Sequence, residues 1–223
     1  MKKFVIAAAF ALTVAPAVAS AQNAADADKN VAGGVLVKGW TGRTDHSNQP
    51  ITTAKFSEMG GGFHVTSGPA AIYWNPANVA KGNYSVKASF SQTKAPTHPE
   101  AYGLFMGGSD LTAESQNYLY CIVRGDGKFM VKHRAGADTH TMAEWTEHAS
   151  VKKQDEMGKA TNEIAVWASS EKIGCSVNGA EVFSMPRADA MGPGKLSESG
   201  DVYGIRVNHN LDVHISGFSM TKM

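Results

Sequence analysis

Between Tyr118 and Arg134 the chain reads YLYCIVRGDGKFMVKHR, two alternating runs joined by Gly125-Asp126-Gly127. A three-residue loop with Gly127 in the left-handed conformation closes these runs into a hairpin. Val123 then faces Phe129, Cys121 faces Val131 and Leu119 faces His133. One face is almost wholly apolar, while the other carries Tyr118, Tyr120, Arg124, Lys128, Lys132 and Arg134. A two-residue Asp-Gly loop mixes apolar and charged side chains on both faces. The register that buries one face cleanly is therefore preferred. The expected result is a strand pair with one side in a core and the other aromatic and basic.

Further along, Asn178-Gly179 is a two-residue turn that pairs Val177 with Ala180 and Cys175 with Val182. Upstream, a turn over Ser169–Lys172 pairs Val166 with Cys175 and Ile164 with Val177. Trp167 falls on the opposite face, across from Gly174. Tyr84, Val86, Ala88 and Phe90 alternate with Ser85, Lys87, Ser89 and Ser91, as in a half-buried strand. Short runs of this kind recur between turn signals from Val35 onward, and no segment sustains a helical period. The fold class predicted is all-β, a two-sheet antiparallel jelly-roll sandwich. Val202–Val207 and Leu211–Ile215 are expected as its last strand pair, with Arg206 on the face away from the core. Ala135–Asn162 is expected to be irregular, with a short strand at His148–Lys152.

The first residues read as a secretory leader: Met1-Lys2-Lys3, an apolar run Phe4–Val18 interrupted by Pro16, and Ala19-Ser20-Ala21 as cleavage site. The domain expectation is a leader over 1–21, a flexible lead-in over 22–33 and a sandwich over 34–223. No later run is apolar enough to cross a bilayer. Lys2 and Lys3 account for two of 21 basic residues, so 19 remain against 20 acidic ones. That balance gives no global field for nucleic acid. Export permits a disulfide. Cys121 and Cys175 both lie on the apolar phase, which suits either a bridge or two buried thiols. Asp26, Asp28 and Asn30 resemble the start of a calcium loop, but Val31 and Val37 stand where glycine and glutamate are required.

Three stretches carry a resemblance. The middle reads AYGLFMGG followed by YLYCIVRGDGKFMVKHR. The later part reads NEIAVWASSEKIGCSVNGAEVF and then VYGIRVNHNLDVHISGFSM. Together with an opening strand ending in Trp40, this order resembles the concanavalin A-like jelly roll. It is most similar to exported bacterial domains grouped with keto-disaccharide hydrolases and laminin-G-like modules. The resemblance covers about Gly34 to Thr221. It implies two antiparallel sheets with a concave face that often meets sugars. The sugar-processing members carry an arginine where Tyr102–Gly108 has none, so no catalytic residue is carried over.

The residues themselves offer no paired-carboxylate strand of the kind a retaining glycosidase uses. Glu144, Glu147, Asp110 and Glu114 read as solvated loop acids. The eight histidines lack tight ligand spacing, and no nucleophile elbow, phosphate loop or dinucleotide fingerprint is present. No metal or cofactor is predicted. Tyr118 and Tyr120 are predicted to offer flat apolar faces to a sugar ring. Arg124, Lys132 and Arg134 supply charged donors, with Trp167 and Arg206 on the same surface. The function expected is an exported, non-catalytic carbohydrate- or surface-binding module whose partner is a glycan or cell-surface polymer. A glycoside- or keto-disaccharide-active hydrolase and a structural or assembly protein are the competing readings.

Overall fold

The computed structural model describes residues 27–197 and 200–223. The predicted leader lies outside them. In chain order the strands are β1 (Gly34–Val35), β2 (Thr41–Thr44), β3 (Lys55–Met59), β4 (Gly62–Thr66), β5 (Ala71–Trp74), β6 (Tyr84–Gln92) and β7 (Ala101–Ser109). There follow β8 (Asn117–Arg124), β9 (Lys128–Ala135), β10 (Asp138–Glu147), β11 (Ala160–Ala168), β12 (Lys172–Val177) and β13 (Ala180–Pro186). After one helical turn, α1 (Arg187–Ala190), the chain closes with β14 (Val202–Val207) and β15 (Asp212–Lys222). Eight strands form one sheet in the order β1-β3-β4-β15-β6-β11-β12-β13. Seven form the other, in the order β10-β9-β8-β7-β14-β5-β2. Among these strands only the β1–β3 pair is parallel. The architecture is the predicted jelly-roll sandwich.

Period-2 alternation places the core. Val86, Ala88 and Phe90 on β6 meet Ile164 and Val166 on β11, and these pack against Leu104, Leu119, Cys121, Val123 and Val131 of the facing sheet. Cys121 on β8 and Cys175 on β12 form a disulfide that ties one sheet to the other. The opening hairpin has the expected register, Val123 opposite Phe129 and Leu119 opposite His133, and Gly127 sits at φ 88°. Likewise Val166 faces Cys175, Ile164 faces Val177 and Trp167 faces Gly174.

Four local expectations are corrected. Cys175 faces Phe183 rather than Val182, because a bulge intervenes between Cys175 and Ser176. Asp138–Glu147 is a long edge strand, not an irregular segment. Two register breaks, at Thr141/Ala143 and Ala143/Thr146, destroy the alternation that would reveal it. His148–Lys152 is turn rather than strand, although Val151 still reaches the core. Finally, β14 and β15 are not a pair: β14 lies between β7 and β5, and β15 between β4 and β6. Both present their apolar phase to one core from opposite sides, so their patterns look alike. Asn210 accepts from Lys29 N through Oδ1 at 2.9 Å, and Val31 N donates to Thr53 O at 3.0 Å.

The 54-residue separation of the bridged cysteines sets the entropic value of the crosslink. By the chain-entropy relation, a Cys121→Ala/Cys175→Ala double variant should lose about 4 kcal/mol of unfolding free energy. Denaturant unfolding of both proteins, with the m-value fitted separately for each, measures it.

Candidate functional site

The two sheets differ in what they show to solvent. On β6 and β11 the outward residues include Lys87, Thr161 and Glu163, all exposed. On β7, by contrast, Ala101–Gly108 are buried on both faces, as are Tyr118–Val123 on β8. The outer face of the seven-stranded sheet therefore carries a second apolar cluster. It includes Ile72, Trp74, Phe105, Tyr118, Tyr120, Ile122 and Met130, with Leu111 packed in from the turn after β7. Tyr118 is 1% and Tyr120 6% exposed. The expectation that both present open faces to a sugar is corrected here. They do lie on the outward phase, but that phase is roofed. Burial pushes the Tyr118 hydroxyl up to about 12 and raises that of Tyr120 as well, so both are neutral phenols at pH 7.

Arg206 points into this apolar layer from the middle of the sheet, between Gly103 on β7 and Ile72 on β5. Its side chain is 5% exposed. Such a charge requires a partner, and Asp45, just after β2, supplies it. Nη1 donates to Asp45 Oδ1, and Nη2 donates to Oδ2 at 2.6 Å. Arg206 Nε donates to Asn208 Oδ1 at 3.3 Å, and the guanidinium lies 5.3 Å from the Tyr120 ring centre. Arg134 adds a second tie, donating from Nη2 to the Asp45 carbonyl at 3.1 Å and from Nε to Gly136 O at 2.8 Å. Burial acts to raise the Asp45 pKa, but the Arg206 charge and hydrogen bonds outweigh it. The carboxyl ends below its ordinary value. For Arg206 the same opposition leaves the pKa raised.

Asp45 and Arg206 form the floor of a polar cleft of about 590 Å³, which His46, Gln49, Asn208, His209 and Asp28 also line. The Asp28 wall is fixed: Gln49 Nε2 donates to Asp28 Oδ2 at 2.6 Å, and His209 Nδ1 stands 3.2 Å from Oδ1. His209 Nε2 is 2.8 Å from Glu100 Oε1 on the far side of the ring. The cleft thus exposes amide, imidazole and carboxylate groups in fixed orientations, a donor and acceptor set suited to hydroxyl groups.

Of the sequence-predicted residues, Tyr118, Tyr120, Arg134 and Arg206 converge around Asp45. Arg124 lies elsewhere on the same face, bonded to Asp126 at 2.8 Å with its guanidinium 4.2 Å from the Trp145 ring centre. Lys132 is half-buried between Tyr120 and Thr141. Trp167 does not share this surface. It belongs to the eight-stranded sheet, lies over Gly174 and donates from Nε1 to Ser176 Oγ at 3.2 Å. Sequence reasoning missed Asp45, His46, Gln49 and Asn208, which sit in loops without pattern. The available signal was Arg206 itself, a cation between two core-phase residues that needed a counter-ion.

Of the acids expected in loops, Glu144 and Glu147 lie on β10 instead, and Glu147 pairs with Lys153; Glu114 is 82% exposed opposite Arg43. Burial, then the neighbouring His140, pushes the His133 ring down to about 4, and its Nε2 lies 3.0 Å from Asn117 Oδ1. Among the described residues no three His, Cys, Asp or Glu side chains are grouped to hold a metal, and no helix is long and apolar enough to cross a membrane.

No family model and no curated protein matches the sequence. Solved structures do match in shape. The carbohydrate binding module CBM66 from Bacillus subtilis superposes with a TM-score of 0.58 at 9% identity, over 85% of this chain and 99% of that one. A variant of family 7 alginate lyase A1-II′ in complex with substrate gives 0.53 at 12% identity, over 75% and 81%. These likenesses establish a shared concanavalin A-like sandwich.

Removing one member of a buried ion pair strands the other. Asp45→Ala should lower the unfolding free energy by about 3 kcal/mol, and adding Arg206→Met should restore part of it. The sign with pH follows from the lowered carboxyl. The contribution is complete above the unfolded-state value of about 3.9 and is lost as pH falls through the lower folded value. Denaturant unfolding at pH 7 and at pH 3 reads both effects.

Proposed function

We propose that the chain is an exported carbohydrate-binding module, non-catalytic, whose glycan seat is the cleft over Asp45 and Arg206. The observation that carries the reading is the rigidity of that polar surface. Asp45 is held by two arginines, Asn208 by Arg206, and Asp28 by Gln49 and His209. A preorganised set of planar polar groups binds hydroxyls without paying to order itself. The shared sandwich with CBM66, described as a carbohydrate binding module, supports the same assignment. The alginate lyase likeness keeps catalysis as the second reading. Binding is favoured because both Asp45 oxygens are taken by Arg206 and the nearby phenols are raised rather than lowered in pKa, the opposite of what a tyrosine base needs. The leader-like amino terminus and the inter-sheet disulfide support export.

A glycan array followed by calorimetry on the best ligand tests this. Asn208→Ala and Gln49→Ala should each weaken binding about tenfold, the value of one well-made hydrogen bond. Trp167→Ala, on the other sheet, should leave affinity unchanged. A folded protein that binds no glycan, or a loss that follows Trp167 instead of Asn208, would refute the assignment.

A further inference from the structure

The outer face of the eight-stranded sheet carries a separate arrangement. His64 on β4 stands directly opposite His214 on β15, and the row continues to Ser57 on β3 and Ser91 on β6. The two rings are 6.3 Å apart, centre to centre, and inclined by 33°. His64 Nε2 lies 3.2 Å from Asp212 Oδ1. A carboxylate only accepts, so this contact holds the ring proton on Nε2 and leaves the lone pair on Nδ1. Asp212 is itself anchored, accepting from Thr93 Oγ1 and pairing with Lys94 at 3.4 Å.

Nδ1 of His64 and Nδ1 of His214 are both buried, and neither has a hydrogen-bond partner. Buried polar atoms are rarely left so. His64 Nδ1 offers a lone pair, and His214 Nδ1 offers a second in its Nε2-protonated tautomer. One water could donate to both, and a divalent metal ion could bind both in its place. We propose that His64 and His214 form a two-imidazole site for a divalent late transition ion, Zn²⁺, Cu²⁺ or Ni²⁺, with Asp212 orienting His64.

Imidazole is the ligand these ions share. A carboxylate on the far nitrogen is the usual outer support of a metal-bound histidine, fixing the tautomer and ring angle. Such an ion needs both nitrogens at roughly 2.1 Å, so binding requires the two Nδ1 atoms to turn toward one point. The adjacent turn leaves room for them. Gly60 and Gly61 are both left-handed, at φ 57° and 77°, and even a β-carbon at position 60 would stand 3.8 Å from His214 Cε1. Solvent fills the remaining coordination positions, as in open sites with few protein ligands. The pair lies on the sheet opposite the glycan cleft, so it stands or falls independently of that reading.

The test uses untagged protein, stripped with chelator and titrated with ZnCl₂ by calorimetry. One ion per chain is expected. His64→Gln and His214→Gln should each weaken zinc at least about tenfold, and Asp212→Asn by about tenfold. His46→Gln and His133→Gln should change nothing. Imidazole ¹⁵N spectra of the wild-type protein provide a readout that needs no variant: zinc should shift Nδ1 of His64 and of His214. Zinc affinity no better than that of the His64→Gln/His214→Gln double variant would overturn the proposal. So would zinc-induced shifts at other histidines alone.

Discussion

The seven-stranded sheet is buried on both faces at its centre, and most of the molecule's organisation answers to that fact. Its inner face is covered by the other sheet and pinned by the Cys121–Cys175 bridge. Among the described residues its outer face has no third layer of regular structure, yet Phe105, Tyr118 and Tyr120 must leave water. The chain meets this with Leu111 in the turn after β7 and with Trp145 packed in from the bulged edge strand. Arg206 is a full charge buried among these groups. Left unpaired it would cost several kcal/mol, a large part of a domain's whole stability. Asp45 therefore has little freedom, and the loop from Thr44 to Pro50 is fixed with it. The cleft's position is a consequence of neutralising one buried guanidinium.

Two glycines make this arrangement sterically feasible. A side chain on Gly103 would run into the Cys121 carbonyl, and one on Gly204 into the Tyr73 carbonyl and the Phe105 ring. They lie on β7 and β14, beside Ile122 and Phe105 in the cross-strand rows. The missing side chain of Gly204 lets the Phe105 ring lie across the strand, so the outer apolar layer depends on that position.

The sequence disclosed what depends on period alone. Tyr118–Arg134 and Asn162–Val177 each have one unbroken apolar phase and an identifiable turn, and their registers follow. Asp138–Glu147 was hidden because its two bulges reset the alternation, and because an edge strand needs no apolar phase of its own. Val202–Val207 and Leu211–Ile215 were read as mutual partners because two strands facing one core from opposite sheets have the same pattern as two strands side by side. The same ambiguity governed the candidate site. Alternation correctly put Tyr118, Tyr120, Arg134 and Arg206 on the outward phase. Whether an outward phase meets water or a roof is decided by loops, and Leu111 and Asp45 have no periodicity to announce them.

Substituting a roofed tyrosine layer for an open one changes what kind of recognition the surface can perform. Stacking on exposed aromatic rings adapts readily and tolerates many sugars, since any ring face will do. A cleft of amides, imidazoles and two locked carboxylates is directional, and a ligand that leaves any of these groups unpaired is penalised. Its walls come from Asp28, from Asp45–Gln49 and from Arg206–His209, segments far apart in the chain and brought together only in the closed sandwich. Under the proposed function, selectivity in such a seat would depend on global folding. The disulfide that holds the two sheets together would then bear on ligand choice as well as on stability, although neither cysteine lines the cleft.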